Sequence, residues 1–248
     1  MRSTLPLRSI RLRHVLREPS FWVHQMPVVA DLRERGRLEF SSPVTVLSGE
    51  NGVGKSTLLE ALALKLGFGA TGGRLDDPFK QASTGTESPL VDDLVADLSQ
   101  PLLRGYFLRA ESHLTQVLHN QSPMEAAGRN RLGMDWDITA RSHGESIFDI
   151  FHEYIDGAGL YLLDEPEAGL SAIRQMALLG QIEEEVRQGA QFVIATHSPI
   201  LMAFPGTMIY EIGGHGIRTT ALEQTEAFTA LAEFFADPRG TVDFLLGE

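Results

Sequence analysis

The segment PVTVLSGENGVGKSTLLEALALKL, residues 43–66, constrains this chain more than any other part of it. A β-branched run reads as a strand, a leucine-rich run reads as a helix, and the turn between them fits G-x-x-x-x-G-K-[ST]. Glycines in such a turn let backbone N–H groups point inward around phosphate oxygens. The helix that follows adds the partial positive charge of its N-terminus. The candidate phosphate-binding residues are Gly49, Asn51, Gly52, Val53, Gly54, Lys55, Ser56 and Thr57. Lys55, one of only three lysines, is expected to reach the β- and γ-phosphates of a nucleotide. Ser56 is expected to ligate Mg²⁺, and Thr57 to support the turn.

Around this segment, strands alternate with helices, the pattern of an α/β fold with a mostly parallel central sheet. Strands are expected at Ser9–Arg13, Val44–Leu47, Tyr106–Arg109, Leu160–Leu163, Phe192–Ala195 and Met208–Ile212. Helices are expected at Lys55–Leu66, Val91–Leu98, Glu145–Ile155, Ser171–Gln188 and Thr225–Phe235. VTVL and QFVIA are continuously apolar, as strands covered on both faces are. Residues 67–90 and 120–143 read as long polar loops, and 91–158 as a small helical insertion in a single domain spanning 1–248. The C-terminal TVDFLLGE, with Val242, Phe244, Leu245 and Leu246, is expected to dock on the core, the alternative being a partner-binding tail.

Three further motifs end on polar residues. In LYLLDEPEAGLS an apolar strand delivers Asp164 and Glu165 at its carboxyl end, where open α/β sheets bind ligands. Asp164 is a candidate Mg²⁺ ligand through water, and Glu165 is placed to orient or deprotonate an attacking water. IATHSP carries His197, whose imidazole suits a hydrogen bond to a γ-phosphate. RSHGESIFDIF opens an apolar helix, so that Ser142, the Gly144 backbone and the helix tip form a second anion site.

Taken in order, GENGVGKS, SHGES, LLDEPEAGLS and ATHS resemble the ABC-type ATPase heads, including the RecF/SMC relatives. With FLRAES (Phe107–Ser112) and THSPIL, the wording is similar to small stand-alone bacterial AAA/ABC ATPases, over about residues 9–245. The resemblance implies a P-loop NTPase fold of the ABC type, with an antiparallel β portion near the N-terminus. It implies two copies that sandwich two ATPs with Mg²⁺. Glu165 would act as the catalytic base, His197 as the switch histidine, and the other copy's Ser142, Gly144 and Glu145 would contact the nucleotide. FLRAES stands where the Q-loop does, with Glu111 or Gln116 as its sensing residue. Departures are His143 and Arg141 in the signature turn and Ser171 in place of an aspartate. Phe21 and Trp22 are candidates for stacking on adenine.

Composition narrows the partners. The net charge is −12, yet residues 1–17 hold five arginines and no acid, leaving 16 basic against 33 acidic residues elsewhere. Such a body repels nucleic acid in bulk, so a DNA-repair or defence role rests on Arg8, Arg11 and Arg13 alone. A chain without cysteine has no disulfides or thiolate sites. No apolar run approaches the ~20 residues of a membrane span. A cytoplasmic, ATP-dependent homodimer driving an unknown protein partner is the leading expectation. The soluble ATP-binding subunit of a membrane transporter is the alternative, and a non-hydrolysing module and a small-molecule kinase fit less well.

Overall fold

The structure, a computed structural model, describes residues 5–16, 22–77, 88–109 and 143–247, with the backbone alone over 143–146. Its strands are β1 (Leu7–Leu12), β2 (Leu38–Glu39), β3 (Val44–Gly49), β4 (Gly73–Arg74), β5 (Leu94–Leu98), β6 (Gly105–Arg109), β7 (Leu160–Asp164), β8 (Gln191–Ala195), β9 (Met208–Gly213) and β10 (Gly216–Thr220). The helices are α1 (Pro27–Arg35), α2 (Lys55–Leu66), α3 (Leu90–Asp93), α4 (His143–Tyr154), α5 (Ala172–Arg187), α6 (Pro199–Met202), α7 (Glu226–Ala236) and α8 (Pro238–Leu246).

Seven strands form the main sheet in the order β10-β9-β3-β8-β7-β6-β4, parallel from β9 through β6 and antiparallel at both edges. An antiparallel sheet, β2-β1-β5, lies beside it. Every residue of β7 and β8 is buried, because the pleat sends alternate side chains into two different cores. Leu160, Leu162, Val193 and Ala195 join the core under α1, α2 and the small sheet. Tyr161, Leu163, Phe192 and Ile194 join the one under α4 and α5. In that second core the rings of Phe151 and Phe192 stack at 6.1 Å, and Tyr161 tilts against Phe192 at 5.2 Å.

The two sheets are joined by a side chain. Gln191, fully buried at the start of β8, accepts from Leu7 N at 2.8 Å and donates to Leu7 O at 2.9 Å. Its amide thus completes β1 as a neighbouring peptide would.

Two expectations are corrected here. Val91–Leu98 is not one helix: four residues of helix give way to β5, which pairs with β1 from Leu94 opposite Leu12 to Leu98 opposite Leu7. The stretch expected as a helical insertion thus begins with a strand of each sheet, and residues 110–142 within it lie outside the described residues. The C-terminal apolar residues do not dock on the core, since α8 buries none of its residues. Among the described residues, no helix is long and apolar enough to cross a membrane.

Candidate functional site

The parallel register brings the carboxyl ends of β3, β8, β7 and β6 to one edge, with Arg109 opposite Asp164 and Asp164 opposite Ala195. At the end of β3 the chain turns through the glycine loop into α2. Gly49 has φ +136°, and a Cβ there would lie 2.1 Å from the Ile212 carbonyl oxygen of β9. Only glycine lets the loop leave the sheet at that point. Gly52, at φ +83°, has no atom within 4 Å of where its Cβ would stand, so that side of the loop faces open space. The loop ends at Gly54, the N-cap of α2, which carries no side-chain cap. The first N–H groups of a helix have no intrahelical partner, and these remain available to an anion.

Lys55 is buried, and its ammonium donates to Gly49 O at 2.8 Å and Glu50 O at 2.9 Å. It also lies 2.9 Å from His197 Nε2. Where charged Lys55 is the donor, that nitrogen accepts and the imidazole is the neutral form with its proton on Nδ1. Burial lowers the Lys55 pKa, opposed by the charges of Glu165, Asp164 and Glu167. Burial, and then the Lys55 charge, likewise lower that of His197 below its ordinary 6.5.

Beside the lysine, Ser56 Oγ donates to Asp164 Oδ1 at 2.8 Å. Glu165 follows with φ +47°, the one positive φ among the described non-glycine residues. Its N–H is held by Ala195 O at 2.8 Å, and its Oε1 lies 3.6 Å from His197 Nε2. Lys55, Ser56, Asp164, Glu165 and His197 therefore meet at one place.

The motif reading missed Glu167. Its Oε1 accepts from Thr196 Oγ1 at 2.5 Å and from the His197 backbone N–H at 2.8 Å. Its Oε2 is buried without a partner. A carboxylate three positions after Asp164 in a polar turn is the only trace of this in the sequence. Ser198, next to His197, caps the short α6 and donates to Gln175 Oε1 at 2.6 Å. The end of β8 is thus tied to the acidic turn and to α5.

Other expected residues fall elsewhere. Gly144 and Glu145 belong to the first turn of α4, while Ser142, Glu111, Gln116 and Phe21 lie outside the described residues. Ser171 caps α5, accepting from Arg174 N at 3.4 Å. Trp22 is exposed. Arg109 of FLRAES pairs with Glu60 on α2 at 3.1 Å. Arg8 and Arg13 are exposed, and Arg11 lies 3.9 Å from Asp97. Two surface hollows, one lined by Ser42, Gly206 and Thr220 and one by Arg104, Gly105 and Asp156, open at the other ends of the strands.

Two family models match the chain. One, described as an AAA domain, covers residues 31–98 and includes the glycine loop. The other, described as an AAA domain and proposed AbiEii toxin of a type IV TA system, covers 142–203 and includes the acidic and histidine turns. No curated protein matches the chain. Among solved structures, an inward-facing conformation of a proposed metal-chelate type ABC transporter is similar at 19% identity and TM-score 0.49, over 93% of this chain and 90% of that one. The SMC head domain from Thermotoga maritima is similar at 16% identity and TM-score 0.45, over 88% and 99%. UvrA2 from Deinococcus radiodurans matches 40% of this chain and 14% of its own, at 22% identity and TM-score 0.31. The glycine loop, the acidic turn and the histidine turn all lie inside the two matched AAA-domain segments, and the chain is an ATP-hydrolysing enzyme.

Proposed function

We propose that this ATPase grips Mg²⁺-ATP in the loop Gly49–Thr57 of one copy, closes on a second copy, and opens on hydrolysis to move a protein partner. The observation that carries the reading is the meeting of Lys55, Ser56, Asp164, Glu165 and His197 at the carboxyl edge of the sheet. The open space beside Gly52 and the uncapped N–H groups at the start of α2 suit a phosphate. The Ser56 hydroxyl and the Asp164 carboxylate are hard oxygen donors in contact with one another, a pair that suits Mg²⁺ completed by phosphate and water. Bound there, Mg²⁺ would neutralise charge on the β- and γ-phosphates.

The chain's own groups then divide the work. Lys55 trades two carbonyl oxygens and an imidazole for phosphate oxygens, an exchange favoured by charge-assisted bonding in a partly desolvated place. Its departure frees His197 Nε2 to take up a proton and donate it in a hydrogen bond to a γ-phosphate oxygen. Glu165 orients the attacking water and takes its proton. Glu167 holds the His197 backbone in place, so that the histidine swings about a fixed point.

Closure on a second copy is supported by the exposed Ile173 and Met176, three apart on the first turns of α5, just past the acidic turn. The Ser142, Gly144 and Glu145 turn of that copy would complete the nucleotide site. Moving such an equilibrium from 1:99 to 99:1 takes about 5.5 kcal/mol of differential binding. Two shared γ-phosphates, each with several charge-assisted contacts, are of that order. The test is the mass of Glu165→Gln in solution with and without Mg²⁺-ATP. An increase in dimer with ATP, lost in Lys55→Ala, is expected. An assembly state that ATP leaves unchanged contradicts the sandwich.

A further inference from the structure

Four consecutive residues at the end of β8 are each bonded to one short segment of the chain, residues 165–175. Ala195 O accepts from Glu165 N at 2.8 Å. The Thr196 hydroxyl and the His197 backbone N–H both donate to Glu167 Oε1. The Ser198 hydroxyl donates to Gln175 Oε1 at 2.6 Å. The segment is itself tied together, by Ala168 N to Glu165 O at 3.0 Å, Leu170 N to Glu167 O at 2.9 Å and Gln175 N to Ser171 O at 2.9 Å. Glu167 thus holds the upstream side of the turn that carries His197, and Gln175 holds the downstream side.

Gln175 stands in the first turn of α5, on the face that Leu178 and Ile182 continue at i+3 and i+7, both fully buried. An apolar side chain would serve packing there, and a half-buried amide costs free energy unless its ends are bonded. Both ends are. Nε2 donates to Leu170 O at 3.1 Å. A carbonyl can only accept, so the amide nitrogen must face Leu170 and the amide oxygen must face Ser198. The buried Ser198 hydroxyl is then obliged to donate to Gln175, and its lone pairs are left for Leu201 N, 3.3 Å away in α6. The Ser198 N–H is spent within the turn, on Thr196 Oγ1 at 2.9 Å, and Pro199 has no N–H to offer. The Ser198 hydroxyl is therefore the bond that ties this side of the turn to α5.

We infer that Gln175 is a positioning residue for ATP hydrolysis, which through Ser198 fixes the backbone from which the His197 side chain projects. This rests on the reading of His197 as the group that engages the γ-phosphate. A side chain that must meet a phosphate oxygen has to start from a fixed point, because a misplacement of about 1 Å costs on the order of 100-fold in rate. Glu167 bonds the N–H side of His197, and a peptide held on one side only can pivot. Gln175 removes that freedom. Because one amide bonds both Ser198 and Leu170, the setting of the histidine is also tied to the start of α5.

The experiment uses the full chain and Gln175→Met, which keeps the side chain's length and helix preference and removes the amide. In the nucleotide-free protein, amide hydrogen exchange at His197 and Ser198 should quicken by about three- to tenfold, the net worth of one hydrogen bond, while Phe192–Ala195 of β8 keep their rates. Single-turnover hydrolysis should slow by about tenfold, with ATP affinity within about threefold of the wild type. Ser198→Ala removes the same bond from its other end, so the double variant should be no slower than the slower single one. Ser198→Ala also decides the matter, by the same exchange readout, if Gln175→Met fails to fold. A role in packing alone predicts exchange that quickens across α5 and β8 alike. That result, unmoved exchange at the turn, or losses that multiply in the double variant overturns the inference. His197→Ala, measured alongside, tells the two failures apart. If it hydrolyses ATP at the wild-type rate, the γ-phosphate reading of His197 fails; if it is slow while Gln175→Met is not, the inference alone fails.

Discussion

Glu165 holds a backbone conformation that costs a non-glycine residue on the order of 1–3 kcal/mol, and it does so at the end of a fully buried strand. That strain turns its carboxylate toward His197 rather than continuing the line of β7. Glu167, two residues on, works through its neighbour. Its negative charge opposes the lowering of the His197 pKa that burial and Lys55 produce. Removing that charge in Glu167→Gln should therefore move the His197 titration, followed by NMR in the nucleotide-free protein, still further below its ordinary value. ATP hydrolysis should fall by about tenfold with ATP affinity unchanged, since orientation rather than binding is lost. An unmoved titration would mean that Glu167 is structural only. The glycine loop and the Asp164–Glu165 pair were legible in the sequence because their chemistry is local, a few residues at fixed spacing. Glu167 was not, because its partners Thr196 and His197 lie 29 and 30 positions away and only the pairing of β7 with β8 brings them near.

At the scale of elements, Gln191 is the piece that joins the two sheets. In Gln191→Ala, both the N–H and the C=O of fully buried Leu7 lose their partner. Each orphaned group costs about 1–3 kcal/mol, so the variant should lose about 2–6 kcal/mol in all. A lower urea midpoint with an unchanged slope is the expected reading, and an unchanged midpoint would contradict the bridge. The central strands and α2, α4, α5 and α7 were legible from apolar runs and helical spacing. Val91–Leu98 was not, because Val91, Leu94, Val95 and Leu98 fit a helix as well as Leu94, Ala96 and Leu98 fit a strand. The free edge of β1 settles that choice, and propensity within the segment cannot see it. The C-terminal helices misled for a related reason. Amphipathic spacing shows that a face needs cover, and it is silent on whether the cover comes from the same chain.

For the whole molecule, charge sets the terms of assembly. Two copies at −12 each repel, an effect that physiological salt screens beyond about 8 Å, so the closure proposed above would rest on short contacts. The structure offers a place for them at the edge that carries Lys55 and the acidic turn, with the exposed Ile173 and Met176 beside it. The central claim is chemical, that ATP held at Lys55 is cleaved with Glu165 as base. Single-turnover hydrolysis of bound ATP by the wild-type protein and by Glu165→Gln tests it most directly. ATP affinity is expected to agree within about threefold while the hydrolysis rate falls by at least about 100-fold. A Glu165→Gln protein that binds ATP and cleaves it at the wild-type rate would contradict the account.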